Sequence, residues 1–360
     1  MSLNISLKRG LKLNLKGSPD KVYAPLQVSD EYVVKPTDFH LLTPKLVVKE
    51  NDKVKAGDTL FYDKYNDKIK FSAPVSGSVK EIVRGQKRRI LKVVIKADKD
   101  IKYKSFEVGN SDQLSRDQII ETMLEAGVWP FVRQRPYDII ANPNDMPKAI
   151  FISAFNSTPL SIDNDFALYG MEELFQKGIN YIRKLTNGKT HLNIDGSINA
   201  STVFTSAKGV QINKFSGPHP SGNVGVQIHH IDPINKNDVV WYLDPQHVIT
   251  IARLFDQGTY DASRIIALAG PQVKKPRYYR CISGANISNL VLDNVKDGDN
   301  RFISGDIFSG DKIDENGSLG FYHTSVLVIE EGNKQEFLGW VLPGFNKFST
   351  SRTFFSWLSP

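Results

Sequence analysis

The chain has 360 residues, of which 40% are hydrophobic and 24% charged, with 26 Gly and 18 Pro. These values match ordinary globular usage and exclude a disordered, collagen-like or coiled-coil chain, and the length predicts two to four domains. No stretch approaches the roughly 18 uninterrupted apolar residues that a membrane helix needs. The N-terminal leucines alternate with Lys and Arg instead of forming a signal-peptide core, so we expect a cytoplasmic protein.

The formal charge of +7 is unevenly distributed. Residues 1–104 carry 23 Lys and Arg against 12 Asp and Glu, a charge of +11, whereas the remaining residues carry −4. Such a basic region can meet nucleic acid, anionic lipid headgroups or an acidic neighbouring protein of the same complex. It can also be a merely well-solvated surface.

Several kinds of site are excluded by their signatures. The single Cys281 can form neither an internal disulfide nor a four-thiolate iron–sulfur or zinc site. The sequence also lacks G-x-x-x-x-G-K-[ST], G-x-G-x-x-G, H-E-x-x-H and G-x-S-x-G. Nucleotide-phosphate loops and the common hydrolase sites are therefore unsupported, and we predict no catalytic residue, bound cofactor or metal site in this chain.

Residues 1–102 are predicted to form an all-β domain. LVVKENDKVKAGDTLFYDK and FSAPVSGSVKEIVRGQKRRILKVVI are similar halves, which predicts a small two-sheet barrel. Lipoyl and biotinyl carrier domains are barrels of this kind, and Gly57, Asp58, Lys64, Ala73 and Pro74 resemble their pattern. Because Lys64 lies six residues after Asp58 and nine before Ala73, away from the expected middle of a hairpin, a docking module without a modified lysine is favoured.

Residues 103–258 predict a three-layer α/β domain. Ser115 and Gln118 form a capping box ahead of a helix that Gly127 ends, and AIFISAF is typical of a strand buried on both faces. HLNI, VFTS and VVWYL are predicted strands, and Asp244 with Pro245 opens a helix that ends at Gly258. Another helix is predicted from the one-sided apolar residues Met171, Leu174, Phe175, Ile179 and Ile182.

Residues 259–332 predict a β-rich domain, with strands in RIIALAG, RYYRCISGA and HTSVLVI. Residues 333–360 begin a C-terminal segment crowded with aromatic side chains. Exposed aromatics are costly, so we expect a partner or a further C-terminal segment to cover them.

The most unusual segment is FSGPHPSGNVGVQIHHIDP, residues 215–233. Pro218 and Pro220 restrict the backbone on both sides of His219, while Gly217 permits conformations that other residues avoid. A metal site that combines His219 with His229 and His230 is disfavoured, because neighbouring residues on a strand point to opposite faces and the last two could not both face one ion. A loop that only packs, and a loop that contacts a ligand or another protein of a complex, both remain open.

Five segments occur in one order along the chain: KENDKVKAGDTLFYDK, GVWPFVRQRPYD, FSGPHPSGNVG, DNRFISGDIFSG and EFLGWVLPGFNKFSTSRTF. Together they resemble the A subunit of the sodium-translocating NADH:quinone oxidoreductase. The resemblance implies a peripheral subunit on the cytoplasmic side of the inner membrane, in a six-subunit complex that oxidises NADH, reduces ubiquinone or a related quinone and exports Na⁺. It implies that FAD, FMN, riboflavin and iron–sulfur centres belong to other subunits, and that nucleic acid is no partner.

The resemblance further implies a carrier-like barrel-sandwich domain, a Rossmann-like domain, a β-grasp-like domain and the start of a C-terminal region. Family members continue beyond the position of Pro360, so we expect a C-terminally shortened chain. Flavin-binding relatives have a glycine-rich turn after the first helix, whereas here Gly127 is followed by Trp129 and Phe131. Arg133 and Arg135 could bind an anion or pair with carboxylates.

We therefore predict a protein of this complex that has no cofactor of its own, and whose contacts with quinone or a partner involve Gly217, Pro218, His219, Trp129, Phe131, Arg133 and Arg135. His219 on its restrained loop would donate a hydrogen bond to the quinone head group. A docking scaffold of the same complex, and a carrier protein modified at Lys64, are the alternatives.

Overall fold

The structure is a computed structural model that describes residues 2–24, 29–349 and 351–358. The chain begins with β1 (Asn4–Ser6) and β2 (Asp20–Ala24). Neither strand pairs with the strands that come next in the chain. β1 pairs in parallel with Lys214–Ser216, and β2 pairs in parallel with a strand that contains Tyr278. The N-terminal segment therefore joins two sheets that are formed mainly by later parts of the chain.

Residues 29–102 form a barrel-sandwich of two sheets. One sheet has the order β3-β9-β8-β5 and the other β4-β6-β7, with antiparallel neighbours throughout. Alternating apolar residues such as Leu60, Phe71 and Val93 fill the space between them. The elements are β3 (Glu31–Val34), a 3-10 helix (Pro36–Asp38), β4 (Pro44–Leu46), β5 (Lys53–Val54), β6 (Thr59–Asp63), β7 (Asn66–Ser72), β8 (Gly77–Arg84), a 3-10 helix (Gln86–Arg88) and β9 (Ile90–Ala97).

The next region is a Rossmann-like α/β sheet. Its elements are α1 (Arg116–Glu125), a 3-10 helix (Trp129–Phe131), β10 (Arg133–Arg135), β11 (Ile139–Ile140), β12 (Ala149–Ser153), α2 (Asn164–Ala167), α3 (Glu172–Ile182), a 3-10 helix (Arg183–Leu185), β13 (Lys189–Asp195), α4 (Thr202–Thr205), β14 (Gln211–Ser216), α5 (Val224–Ile231), β15 (Val240–Leu243) and α6 (Pro245–Gln257). The sheet has the strand order β1-β14-β13-β12-β15-β10-β11, in which the sequence order falls from β14 to β12 and then rises to β15. The first five strands in this order are parallel, and β10 pairs antiparallel with both β15 and β11.

The last sheet has the order β19-β18-β20-β16-β17-β2 and mixes parallel and antiparallel pairs. Its elements are β16 (Ser263–Ala269), β17 (Arg277–Ile282), α7 (Ser288–Val291), β18 (Asn300–Ser304), β19 (Asp311–Ile313) and β20 (Ser325–Glu330), and a 3-10 helix (Phe355–Leu358) follows. The α/β fold class with several sheets is thus confirmed.

The three regions share one apolar core. The ring of Phe39 lies 4.4 Å from that of Phe71 and 4.7 Å from that of Phe321, and Phe131 stacks on Phe321 at 4.7 Å. These rings connect the barrel-sandwich, the α/β sheet and the last sheet. Beyond β20 most of the described apolar side chains are exposed instead, as the 92% and 79% exposure of Phe337 and Trp340 illustrates.

Local helix signals are confirmed. Ser115 accepts a hydrogen bond from the Gln118 backbone N–H and Gln118 caps in return, and the Asp244 side chain accepts from Gln246 at the start of α6. Gly258 ends α6 at a φ of +65°, a conformation that favours glycine.

Two predictions are wrong. VFTS is not a strand, because residues 202–205 form the short helix α4, which Ser201 caps by accepting from the Val203 N–H. His229 and His230 lie on helix α5 rather than on a strand, and they extend from its last turn. Among the described residues, the structure contains no helix with the length and apolar content needed to cross a membrane.

Candidate functional site

A cleft of about 640 Å³ lies where the parallel strands β12, β13 and β14 reach their carboxyl ends. Ligands of open α/β sheets bind at this edge, so we treat this strand-end cleft as the candidate site. Residues 10–14 of the N-terminal segment cross it and close one side. Its other walls come from Phe155, Ser157, Pro159, Ser197, Gly217, Pro218 and His219.

The N-terminal segment is fixed to the loop after β14 by backbone hydrogen bonds. The Leu7 N–H donates to Ser216 O at 2.9 Å, and the Leu11 N–H donates to His219 O at 2.8 Å. Gly217 makes this approach possible, because a Cβ atom there would lie 2.2 Å from Leu7 O and its φ is +118°. The loop and the crossing segment therefore form one unit.

His219 is held by a hydroxyl and an aromatic ring. Its Nδ1 lies 3.2 Å from Ser157 Oγ, which in turn accepts the Gly222 N–H at 2.8 Å, and its ring lies 4.8 Å from that of Phe308. Partial burial lowers the pKa of His219 below its ordinary value, although the Asp306 carboxylate opposes this shift. The imidazole is therefore neutral near pH 7. When the Ser157 hydroxyl donates to Nδ1, Nε2 carries the ring proton and can donate it to a ligand.

Beneath this loop, amide side chains replace the usual apolar contacts between sheet and helix. Asn213 Nδ2 donates to Asn193 Oδ1 at 2.9 Å, and Asn193 Nδ2 donates to Gln227 Oε1 at 2.8 Å. Gln227 Nε2 then donates to Gly222 O at 3.3 Å, and the three amides are fully buried. We call Asn193, Asn213, Gln227 and the adjoining His191 the buried amide network.

His191 completes this network at the sheet. Its Nδ1 lies 3.3 Å from Asn213 Nδ2, and its ring stacks on Phe151 at 4.6 Å. Burial lowers the pKa of His191 to about 4. The network was missed in the sequence, although His191 and Asn193, two residues apart on one strand, share a face and signal polar groups there.

The predicted arginines lie in a different cluster. The Arg133 guanidinium pairs with Asp138 Oδ2 at 2.5 Å and lies over the rings of Tyr322 and Tyr242, at 4.3 and 5.1 Å. Arg135 reaches the same carboxylate at 3.5 Å. Burial raises the pKa of Tyr242, whose hydroxyl bonds to Asp138. Both arginines thus have a carboxylate partner.

The structure does not bring all the predicted contact residues together. Gly217, Pro218 and His219 line the cleft, whereas Arg133 and Arg135 lie on β10, four strand positions away from β14 in the sheet. At about 4.8 Å per strand this separation is about 19 Å.

Trp129 and Phe131 are buried in the 3-10 helix before β10. Trp129 Nε1 donates to Ala141 O at 2.7 Å, and its ring lies edge-on to Trp241 at 5.3 Å. Phe131 packs between His247 and Phe321. Contact of either ring with quinone or a partner stays a prediction.

Three further residues singled out in the sequence are now located. Lys64 and Tyr65 form the turn between β6 and β7, so Lys64 lies at the hairpin tip, and the expectation that it lies away from the middle of a hairpin is wrong. His229 and His230 are adjacent on α5, and across residues 2–24, 29–349 and 351–358 no three His, Cys, Asp or Glu side chains are grouped to hold a metal ion.

The fold and cleft define a class: a multidomain α/β protein with a barrel-sandwich at one end, a Rossmann-like sheet in the middle and a mixed sheet after it. Family profiles match this division, with the NqrA N-terminal barrel-sandwich hybrid domain at residues 5–98 and the NqrA second alpha/beta domain at residues 114–260. The profile of the NQRA C-terminal domain matches residues 265–315. The chain belongs to the NqrA family, which comprises the A subunits of the Na(+)-translocating NADH-quinone reductase.

Curated relatives are similar over nearly the whole chain. The A subunit of the Na(+)-translocating NADH-quinone reductase of Pasteurella multocida is 38% identical over 355 residues, which covers 97% of this chain and 78% of the relative. The corresponding proteins of Photorhabdus laumondii and Yersinia pseudotuberculosis are also 38% identical, over 353 and 352 residues, with the same coverage. Among solved structures, an NAD+-reducing [NiFe]-hydrogenase aligns with a TM-score of 0.43 and 15% identity, covering 63% of this chain and 48% of that one.

Proposed function

We propose that this chain is a peripheral subunit, without a cofactor of its own, of a membrane NADH:quinone oxidoreductase that exports Na⁺, and that it lies on the cytoplasmic side. Its curated relatives are named as NqrA-type subunits of a Na(+)-translocating NADH-quinone reductase. We further propose that the strand-end cleft belongs to the quinone side of the reaction. The observation that carries this proposal is that Ser157 and Phe308 hold the His219 imidazole at the wall of that cleft.

The chemistry of the cleft suits a quinone. Reduction of a quinone to a quinol adds electrons, which NADH supplies through the other subunits, and protons at the head-group oxygens. A quinone site needs apolar walls and hydrogen-bond donors that reach those oxygens. Leu11, Leu13 and Phe155 supply apolar surface, and His219 Nε2 supplies the donor. When the Ser157 hydroxyl donates to Nδ1, the ring proton lies on Nε2, and Nε2 can donate to the head group.

The interior packing supports a chain that holds no flavin or iron–sulfur centre. The turn after α1, where a glycine-rich phosphate loop would lie, is filled by Val128, Trp129 and Phe131, all buried. Burial raises the pKa of the Cys281 thiol to about 12, which disfavours the thiolate that an iron ligand requires. Both features support the proposal that the flavins and iron–sulfur centres belong to other subunits.

The test replaces His219 in the assembled membrane complex. We expect His219→Ala to raise the KM for quinone by about 10-fold, the effect of losing one hydrogen bond of about 1.4 kcal/mol, while NADH oxidation with an artificial acceptor is unchanged. His230→Ala, on an exposed position of α5, is the matched control. An unchanged KM for quinone in the His219 variant would remove the cleft from the quinone side.

The position of Lys64 favours one further test. A lysine at the tip of a barrel-sandwich hairpin is where a lipoyl or biotinyl group would be attached, and Lys64 lies there, between β6 and β7. An intact mass of the native chain equal to the sequence mass would exclude this carrier function.

The other alternative is a docking scaffold of the same complex. A labelled quinone that reacts only with the membrane-embedded subunits would favour this scaffold function.

A further inference from the structure

The hairpin of β8 and β9 extends beyond the rest of its sheet. β5 pairs with β8 only at Gly77 and Ser78, and β3 leaves β9 at Val93. The β8–β9 pairing itself continues to Arg84 opposite Ile90. Both neighbouring strands have ended at the pair of Ile82 and Val93, and the two residue steps from Ile82 to Arg84 add about 7 Å before the turn, at about 3.3 Å per residue. The end of the hairpin is therefore an arm that projects from the barrel-sandwich.

This arm is strongly basic. We call its five cationic residues the basic tip: Arg84, Lys87, Arg88, Arg89 and Lys92. No Asp or Glu occurs between residues 82 and 97, and the first four cations are exposed. In the part of the chain that the structure describes, none of the five forms an ion pair.

The density of cations distinguishes the arm from the rest of its domain. Elsewhere in the barrel-sandwich Lys70 and Lys80 form ion pairs, whereas Lys53 and Lys68 form none among the described residues. From residue 84 to residue 92, five of nine residues are cationic, and the Glu50 carboxylate, which accepts the Ile82 N–H at 2.9 Å, lies at the base of the arm. A concentrated positive charge of this kind attracts a polyanionic surface.

The apolar content of the arm distinguishes between two kinds of partner, a protein surface and a lipid surface. Protein interfaces have a desolvated core rich in aromatic and large apolar residues and poor in Lys. Between Tyr65 and Tyr103 the described structure exposes no large hydrophobic side chain, so the arm offers no such core. Contact through charge alone suits the headgroup layer of an anionic bilayer, which needs no shape complementarity.

We propose that the basic tip of the β8–β9 hairpin docks onto anionic phospholipid headgroups of the membrane. This contact rests on the membrane attachment in the proposed function and identifies the part of the chain that makes it. It does not involve the strand-end cleft, so its failure and that of the quinone assignment are separable.

The test measures binding of the purified full chain to vesicles by co-sedimentation. Phosphatidylcholine vesicles with about 30% phosphatidylglycerol are compared with pure phosphatidylcholine vesicles, at about 0.1 M and about 0.5 M salt. We expect binding only to the anionic vesicles at the lower salt. Because each cation near such a surface contributes about a factor of five, replacing the first four tip cations by Gln should lower the partition coefficient by about 600-fold if the contributions add, and by at least about 100-fold.

A matched control removes the same charge elsewhere. Lys53, Lys68, Lys208 and Lys236 are exposed and lie outside the arm, and their replacement by Gln should change the partition coefficient by less than about threefold. Equal losses in both variants would mean that net charge alone acts, and would overturn the proposal. So would unchanged binding of the tip variant, or equal binding to uncharged vesicles, which would point to exposed aromatics such as Trp340. Absence of vesicle binding, with a loss of complex assembly in the tip variant, would overturn it in favour of an acidic neighbouring protein of the complex.

Discussion

Replacement of Asn193 by alanine is expected to destabilise the α/β region by about 4 kcal/mol. Asn193 is the centre of the buried amide network, donating to Gln227 at 2.8 Å and accepting from Asn213 at 2.9 Å, and both partners are fully buried. The variant leaves Gln227 Oε1 without a partner at a cost of about 1–3 kcal/mol, and Asn213 Nδ2 loses its shortest bond at about 1 kcal/mol but keeps contacts at 3.3 Å with Gln211 O and His191 Nδ1. The cavity left by the side chain adds about 1 kcal/mol. At about 2–4 °C per kcal/mol, the melting temperature should fall by roughly 8–16 °C.

Differential scanning calorimetry measures this loss, and Asn199→Ala is the matched control because Asn199 is exposed in a loop. The double variant Asn193→Ala with Gln227→Ala should be more stable than the sum of the single losses predicts, by about 1–3 kcal/mol, since one orphaned group has been removed. If Asn193→Ala melted within about 1 °C of the control, the network would contribute nothing and the reasoning would fail.

Three further predictions address pH, the crossing segment and a helix cap. Burial gives His191 a pKa of about 4 in the folded chain against 6.5 when unfolded, so the unfolded chain binds more protons between these two values. Lowering the pH from about 7.5 to about 5 should therefore cost about 2 kcal/mol of stability, and the His191→Asn variant should not show this loss. Equal pH slopes of the two proteins in urea titrations would contradict this. Gly217→Ala should detach the N-terminal segment, because the new Cβ would lie 2.2 Å from Leu7 O. Limited proteolysis should then cleave the chain before residue 17, and an unchanged digest would count against this contact. Ser115→Ala should cost about 1 kcal/mol through the lost capping box, whereas Ser115→Asp should cost less than about 0.5 kcal/mol; equal unfolding midpoints for both would refute the cap.

Local chemistry made much of the fold predictable. The capping box at Ser115 and the Asp244–Pro245 start of α6 are determined within one helical turn, and both are confirmed. AIFISAF is a buried central strand, as its continuous apolar run predicts. VFTS misled because a run of four residues carries no reliable period, and the Ser201 cap favoured a helix.

Long-range pairing could not be predicted in the same way. The partners of β1 lie more than 200 residues further along the chain, and nothing in the residues of β1 specifies them. It could therefore not be predicted from the sequence that residues 10–14 form a wall of the strand-end cleft. The loop of His219 stood out through its prolines and glycines, but the hydroxyl of Ser157 that holds the ring is 62 residues away. The predicted division into residues 1–102, 103–258, 259–332 and 333–360 stays a prediction.

Photolabelling of the assembled complex with a reactive quinone analogue tests the quinone-side role of this chain most directly. Labelled peptides of this chain should contain residues 155–159 or 217–219, which line the strand-end cleft, and excess quinone should prevent the labelling. His219→Ala should lower the labelling, while His230→Ala should leave it unchanged. Label confined to the membrane-embedded subunits, with this chain present and unlabelled, would contradict the assignment.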